Sequence, residues 1–300
     1  MSNWLYIVIV NWNLREDTLA CVNSLIEAGA KPDHIVVVDN ASTDGSVEAL
    51  KQTFNSELTI IESNQNLGFA AGSNLGAKFA IDQGAVWVLF LNNDTVVASN
   101  LLVELEAITQ NYTNFSIIAP IIYYYDQPDI IWHLGDRLVP GTFTTINRFR
   151  GKKDPGNLPN VVPVDFVTGC GMMVRKDVFD RIGFFDSSFF MYAEEIDYCW
   201  RARQAGFRLA CATQAKIWHR ISTSASKDQN KSRYLRIRNQ IYFYRRYASA
   251  HQVPLMFIFT LMRFFRLAFN DIIKRQTYLV GPLAHGWFDG WFKIIKDKVE

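Results

Sequence analysis

Three hundred residues, 49 % hydrophobic and 20 % charged, suffice for a large buried core in one or two domains and exclude a disordered or fibrous chain. A net charge of +2, from 31 basic and 29 acidic residues, gives no general affinity for nucleic acid, although basic residues crowd from Lys216 onward. The four cysteines, Cys21, Cys170, Cys199 and Cys211, show no CxxC spacing; they suggest neither a zinc site nor a disulfide framework and fit a reduced, cytoplasmic setting.

The opening MSNWLYIVIV lacks the basic segment and small-residue cleavage site of a signal peptide and reads as one strand. Short β-branched apolar runs at 6–10, 34–38, 59–61 and 86–91 then alternate with amphipathic stretches at 18–27, 46–53, 70–82 and 99–110. That rhythm is βαβ and predicts a mostly parallel sheet with helices on both faces. Residues 115–167, with IIYYY, Pro, Gly and GTFTTINRFRG, suggest shorter, antiparallel strands that hold a second substrate. GKKDPGNLPN at 151–160 reads as a surface loop within one domain. From Lys227 the pattern turns helical and basic. The longest uncharged run, 247–262, ends at Arg263 and Arg266, short of the roughly 20 apolar residues a spanning helix needs, so no transmembrane segment is predicted.

The motifs sit where strands end. LFLNNDTVV runs a buried strand into Asn92, Asn93 and Asp94, oxygen-bearing side chains at the carboxyl edge of the sheet, where ligands of open α/β folds bind. The first βα turn, VIVNWNLRED, has neither the GxGxxG of a dinucleotide fold nor a P-loop. In VVVDNASTDGS, Asp39 ends a strand and suits either a turn or hydrogen bonding to a base. Gly68, Gly72 and Gly76 in NQNLGFAAGSNLG permit close backbone approach, to a ligand or to a packed helix.

Taken in order and spacing, VDNASTDGS, NQNLGFAAGSNLGA, LFLNNDT, the long stretch from FVTGCGMMVRK to MYAEEIDYCWRARQAGFR, and WHRIS resemble the bacterial inverting glycosyltransferases of family 2, within them the rhamnosyltransferase-like group, over roughly residues 5–245. The resemblance implies a GT-A fold: a catalytic domain at 1–225, with a nucleotide-sugar half (1–110) and an acceptor half (111–225), followed by basic, aromatic helices at 226–300. It further implies a nucleotide-sugar donor, dTDP- or UDP-linked with dTDP-rhamnose favoured, and Mg²⁺ or Mn²⁺. Asp94 fits the last position of the family's DxD-type motif and His219 its metal- or diphosphate-contacting histidine, while Asn92 and Asn93 stand where many relatives carry acids. Asn11, Trp12, Asp39, Asn66, Gly68, Asn74, Asn92, Asn93 and Gly169 are the implied donor contacts, with Trp12 stacking on the base or else packing in the core.

Transfer from a nucleoside diphosphate needs positive charge at the leaving group and a base on the opposite face of the sugar. MYAEEIDYCWRARQAG offers three carboxylates; Asp197 is accounted for by the helix dipole and an i,i+4 pair with Arg201. The resemblance makes Glu195 the base, a Glu where Asp is commoner, ahead of Glu194. A sugar nucleotidyltransferase would need a glycine- and basic-rich loop after the first strand, and a non-catalytic saccharide scaffold would have no use for Asp94, Glu195 and His219 together. In the tail, Arg263, Arg266, Asn270 and Lys274 share a helical face beside several Phe, and Trp287, Phe288, Trp291 and Phe292 cluster near Lys293 and Lys296. This suits peripheral attachment to an anionic membrane and a lipid-linked saccharide acceptor, or else packing on the catalytic domain or in a homodimer.

Overall fold

The structure, a computed structural model, describes residues 4–55, 57–139, 143, 145–220, 228–295 and 299. Ile221, Ser222, Lys227 and Lys296 lie outside the described residues. In chain order the elements are β1 (Leu5–Asn11), α1 (Arg15–Glu27), β2 (Ile35–Asp39), α2 (Ser46–Thr53), β3 (Thr59–Glu62), α3 (Gly68–Asp82), β4 (Trp87–Asn92), β5 (Thr95–Val97), α4 (Leu101–Asn111), β6 (Ile117–Tyr124), β7 (Gln127–His133), β8 (Arg137–Leu138), β9 (Thr145–Ile146), β10 (Lys152–Lys153), β11 (Val161–Val164), β12 (Gly171–Arg175), α5 (Lys176–Ile182), α6 (Glu194–Gln204), β13 (Leu209–His219), α7 (Gln229–Tyr247), α8 (Val253–Ile273) and α9 (Val280–Phe292).

The main sheet runs β10-β7-β6-β12-β4-β1-β2-β3. Its first-half strands pair in parallel, β1 with β2 and β4, and β2 with β3. Its second-half strands turn antiparallel, β12 against β4 and β6, and β7 against β6. The short β10 also pairs with β7, so the expected loop at 151–160 begins as a strand. β13 joins parallel to β6 and antiparallel to β5 and β11.

Successive side chains of a strand point to opposite faces, and here both faces are covered. Leu5, Ile7 and Ile9 of β1 pack into one core with Leu25 and Leu101. Tyr6 and Val8 pack into the other with Ala77 and Phe185. On the second face α3 lies close to the sheet: a Cβ on Gly76 would stand 2.4 Å from Val8 Cγ1.

Register brings the site together. Asn11 pairs with Asp39, and Val10 with Asn92, so the carboxyl ends of β1, β2 and β4 are level. Gly171 pairs with Leu91, which sets Gly169 and Cys170 beside Asn92. His219 ends β13 opposite Thr95, the residue after Asp94.

The C-terminal helices are not a loose tail. One side of α7 joins Phe189, Ala193 and Phe143 in a core through Tyr242, Phe243 and Tyr244. Its other side packs on α8 and α9 through Ile237, Ile241, Leu283 and Trp291. Gly286 and Gly290 allow α9 to cross tightly, since Cβ atoms there would meet Tyr234 O at 2.6 Å and Ile241 Cβ at 2.8 Å. Arg233 binds Asp271 at 2.9 Å, tying α7 to α8, and Trp291 Nε1 donates to Thr260 Oγ1 at 2.9 Å.

Helix α8 runs unbroken through Arg263 and Arg266, and its 21 residues are long and apolar enough to cross a membrane by length and composition. Its outward face is apolar: Leu255, Met262, Phe265 and Phe269 are 62–66 % exposed. Arg263 does not belong to that face; its guanidinium turns inward and donates to Gln240 of α7. Spacing alone groups residues on a helix face but does not say which face meets solvent.

Candidate active site

At the strand ends the polar side chains hold one another. Asn11 Nδ2 donates to Asp39 Oδ1 at 2.7 Å and to Ser42 Oγ at 3.0 Å, while Ser42 N donates to Asp39 Oδ2 at 2.9 Å. Asn93 Nδ2 donates to Asn11 Oδ1 and to Thr18 Oγ1, both at 3.0 Å. Asn11, Asp39 and Asn93 are thus buried in one network that fixes the carboxyl edge. Each carboxylate oxygen of Asp39 keeps a lone pair beyond these bonds.

Beside this network Asp94 Oδ1 faces His219 Nε2 at 2.9 Å, with side-chain exposures of 4 % and 8 %. The two approach without an aligned hydrogen bond. Asn92 Nδ2 lies 3.4 Å from the same ring nitrogen. Adjacent ligands on bonds of roughly 2.1 Å around a small divalent cation sit about 3 Å apart, so the spacing and the oxygen–imidazole donor set fit one cation. Among the described residues no cluster of three His, Cys, Asp or Glu side chains forms there; the remaining ligands would be diphosphate oxygens or water. Burial works to lower the His219 pKa, but Cys170 and the Asp94 carboxylate raise it by more, to about 10. The ring must shed that proton to act as a ligand, so cation binding is linked to proton release.

A cavity of about 270 Å³ opens onto Asn92, Asn93 and Asp94, and Trp12, Asn40, Asn66, Gly68 and Phe69 line it too. Trp12 therefore faces the cavity rather than the core. Asn66 Oδ1 accepts from Gly68 N at 2.8 Å and shapes the turn into α3. Gly68 has φ +80°, and a Cβ there would lie 2.4 Å from Phe190 O, so both backbone conformation and space call for glycine. Asn74 is not brought to the cavity: its amide donates to Phe185 O at 2.8 Å and accepts from Phe185 N at 3.0 Å, clasping a segment 111 residues away.

The far wall comes from Phe190 and Met191, with Asp228, Lys231 and Ser232 at the start of α7. Sequence reasoning missed these and Asn40. Asn40 adjoined a quoted motif residue, and its Nδ2 donates to Gly68 O at 3.0 Å. Nothing local marked the α7 residues, which reach the cavity only through tertiary packing.

Phe190, Tyr192 and Ala193 all have positive φ, at 64°, 72° and 72°. Such conformations cost roughly 1–3 kcal/mol each in non-glycine residues and persist only where surroundings impose them. Here Phe190 O accepts from Ala70 N at 3.2 Å. From the other side, Asn239 Nδ2 of α7 donates to the carbonyls of Phe189, Met191 and Tyr192 at 2.8, 2.9 and 2.8 Å.

This held segment delivers Glu194 and Glu195 to the first turn of α6. A Cβ on Gly169 would stand 3.9 Å from Glu195 Cβ, and the carbonyl of the next residue, Cys170, accepts from Asn92 N at 3.1 Å. Glu195 therefore lies beside the Gly169–Cys170 segment that borders Asn92, although it is not among the residues lining the cavity. Burial raises the Glu195 pKa, opposed by backbone N–H groups at the helix start. Burial, then the charge of Glu195, raises that of Glu194 further. Asp197 is spoken for: Arg201 Nε at 2.7 Å, Arg246 Nη1 at 3.1 Å and the Tyr247 hydroxyl at 2.7 Å engage its oxygens.

Glu194 supplies a stability test. With its folded pKa above the ordinary 4.5, the folded state holds more protons than the unfolded one in the interval between those values, so stability falls as pH rises through it. Glu194→Gln cannot ionise. Its melting temperature should match the parent near pH 4 and exceed it at pH 7–8, by about 2–4 °C for each kcal/mol relieved; equal pH profiles in differential scanning calorimetry would refute the assignment.

Two solved structures share this architecture over most of the chain. The chain matches GalNAc-T7, solved with UDP, GalNAc and Mn²⁺, at a TM-score of 0.58 and 15 % identity, over 80 % of this chain and 49 % of that one. It matches the mannosyltransferase PcManGT of Pyrobaculum calidifontis, solved with GDP-Man and Mn²⁺, at a TM-score of 0.56 and 12 % identity, over 96 % and 87 %. The fold is GT-A. Residues 6–183 match the profile of glycosyl transferase family 2; the chain belongs to that family and is a glycosyltransferase. It is 31 % identical to the low-salt glycan biosynthesis hexosyltransferase Agl10 of Haloferax volcanii, over 80 % of this chain and 75 % of that protein. It is also 26 % identical to the N-acetylglucosaminyl-diphospho-decaprenol L-rhamnosyltransferase of Mycobacterium tuberculosis (76 % and 80 %) and 23 % identical to the dTDP-rhamnosyl transferase RfbF of Shigella flexneri (85 % and 83 %).

Proposed function

We propose that the protein moves a hexose, rhamnose from dTDP-rhamnose favoured, onto a lipid-linked saccharide with inversion at the anomeric carbon. The observation that carries this reading is the Asp94–His219 pair, 2.9 Å apart at the cavity edge, with Glu195 beside Gly169 on the neighbouring segment. Asp94 and His219 would hold Mg²⁺ or Mn²⁺, which supplies counter-charge for the departing diphosphate. Trp12 and the Asn11–Asp39 network receive the base, and Asn92 the ribose. Glu195 takes the proton of the acceptor hydroxyl as its oxygen bonds to the anomeric carbon and the diphosphate leaves from the opposite face. A single displacement inverts that carbon. A carboxylate of raised pKa is the stronger base near neutral pH. The favoured donor and acceptor rest on the names of the relatives, two of which are rhamnosyl transferases. Incubation with a panel of dTDP- and UDP-sugars, with Mn²⁺ or EDTA, should yield nucleoside diphosphate only with metal, and the product's anomeric coupling in ¹H NMR should be opposite to the donor's. A retained configuration would sink the mechanism.

The outward stripe of α8 supports a site of action at the inner face of a membrane. Arg266 and Lys274 are exposed along it, and Lys293 lies at the end of α9. Basic residues beside exposed Phe and Ile suit an anionic bilayer surface, each worth on the order of 1 kcal/mol there. The full chain should float with phosphatidylglycerol vesicles, and a Phe265→Asp/Phe269→Asp variant should not, while both keep the same melting temperature. Equal flotation of the two, or a dimer that these changes dissociate, would assign the stripe to another partner.

A further inference from the structure

A second group of polar atoms lies at the end of β7. Trp132 Nε1, His133 Nε2 and Asp136 Oδ1 are buried and have no hydrogen-bond partner among the described residues. Asn147 Oδ1 accepts from Phe149 N and Arg150 N, which turns its Nδ2 as a donor toward His133 Nδ1 at 3.1 Å, so the proton of the neutral ring sits on Nε2; Asp136 Oδ1 stands 3.7 Å from the same Nδ1, beyond hydrogen-bond distance. Burial, the largest influence, lowers the His133 pKa to about 4 and keeps the ring neutral. The group thus presents two N–H donors and one carboxylate acceptor. Buried polar atoms left unmade cost roughly 1–3 kcal/mol each, and three within five residues call for a ligand.

Their neighbours place them at the reaction centre. The Trp132 ring meets the His219 ring edge-on, centroids 4.8 Å apart. Asp136 is near enough for its charge to raise the Glu195 pKa, and Glu195 Oε2 is itself buried without a partner. None of the three residues lines the nucleotide cavity. Arg150 covers the face of Trp132, its guanidinium 5.6 Å from a ring centroid, which leaves the N–H edge as the binding element.

Resting on the glycosyltransferase reading of Glu195, we propose that Trp132, His133 and Asp136 form the acceptor subsite, binding a neutral saccharide residue through its oxygens. The two N–H groups donate to ring or hydroxyl oxygens, and Asp136 Oδ1 accepts from a hydroxyl. The same carboxylate repels an anionic sugar, so a uronic acid is excluded as the residue bound here.

Saturation-transfer NMR on the full chain tests this, using methyl glycosides of glucose, galactose, N-acetylglucosamine, rhamnose and glucuronic acid. At least one neutral glycoside should show saturated ring protons, glucuronide none, and Asp136→Asn and Trp132→Phe should each reduce the signal at least fivefold. Stabilisation by dTDP or UDP with Mn²⁺ is followed in parallel. Nucleotide stabilisation without any glycoside signal, or variants that bind glycosides like the parent, overturns the acceptor assignment alone. Variants that lose the nucleotide response mark the three residues as structural and overturn it too. A parent chain that responds to no nucleotide overturns the donor reading first, and this inference with it.

Discussion

Glu195→Gln is expected to lower sugar transfer by roughly 10²–10⁴-fold, the range for loss of a positioned general base, while nucleotide binding with Mn²⁺ persists and the melting temperature at neutral pH does not fall. The amide keeps the shape of the side chain but cannot take the acceptor's proton. Single-turnover assays with the donor saturating separate this from a binding defect. The parent's pH profile should carry the same signature: transfer needs ionised Glu195, so its acidic limb lies above the ordinary carboxylate range, because burial raises that pKa, and activity falls as pH drops through it. Normal turnover by the variant would pass the role to Glu194, since both oxygens of Asp197 are engaged by Arg201, Arg246 and Tyr247.

The second large effect is expected for Asp94→Asn. The substitution preserves size but removes the one carboxylate of the strand-end trio, and with it the charge partner of His219. Counter-charge from a cation is worth several kcal/mol in the transition state, so a loss of about 10³-fold or more follows at 1.36 kcal/mol per decade. Calorimetric titration with UDP should lose its Mn²⁺ dependence in the same variant. Mn²⁺-dependent binding that survives would show that cation and diphosphate are held elsewhere.

Much of the first half of the sheet was legible because its signals are local. Continuous apolar runs announce parallel strands covered on both faces, and β2 and β4 fall within one residue of the runs at 34–38 and 86–91. The polar residues ending those strands had to lie at one edge. What could not be read depends on distant partners. The three-residue β5 and the end of β13 pair across Thr95–His219, Val96–Trp218 and Val97–Ile217, far apart in sequence, and no periodicity encodes that. Asn74 sat inside a glycine-rich motif like a ligand contact, yet its amide serves Phe185. Arg263 shared a spacing with Arg266 but found Gln240 inside. The start of α7 gave no sign that it would wall the cavity, because its contacts are made by a helix that sequence pattern describes only as basic and aromatic.

The Asn239 amide has a consequence for the order in which the protein is made. The carbonyls it holds belong to residues 47–50 positions earlier. During synthesis the sheet and its strand-end polar network can form while the segment before Glu194 still lacks the group that restrains it. The segment that carries Glu194 and Glu195 therefore gains these three bonds only after α7 has emerged and docked, so the proposed site is completed last.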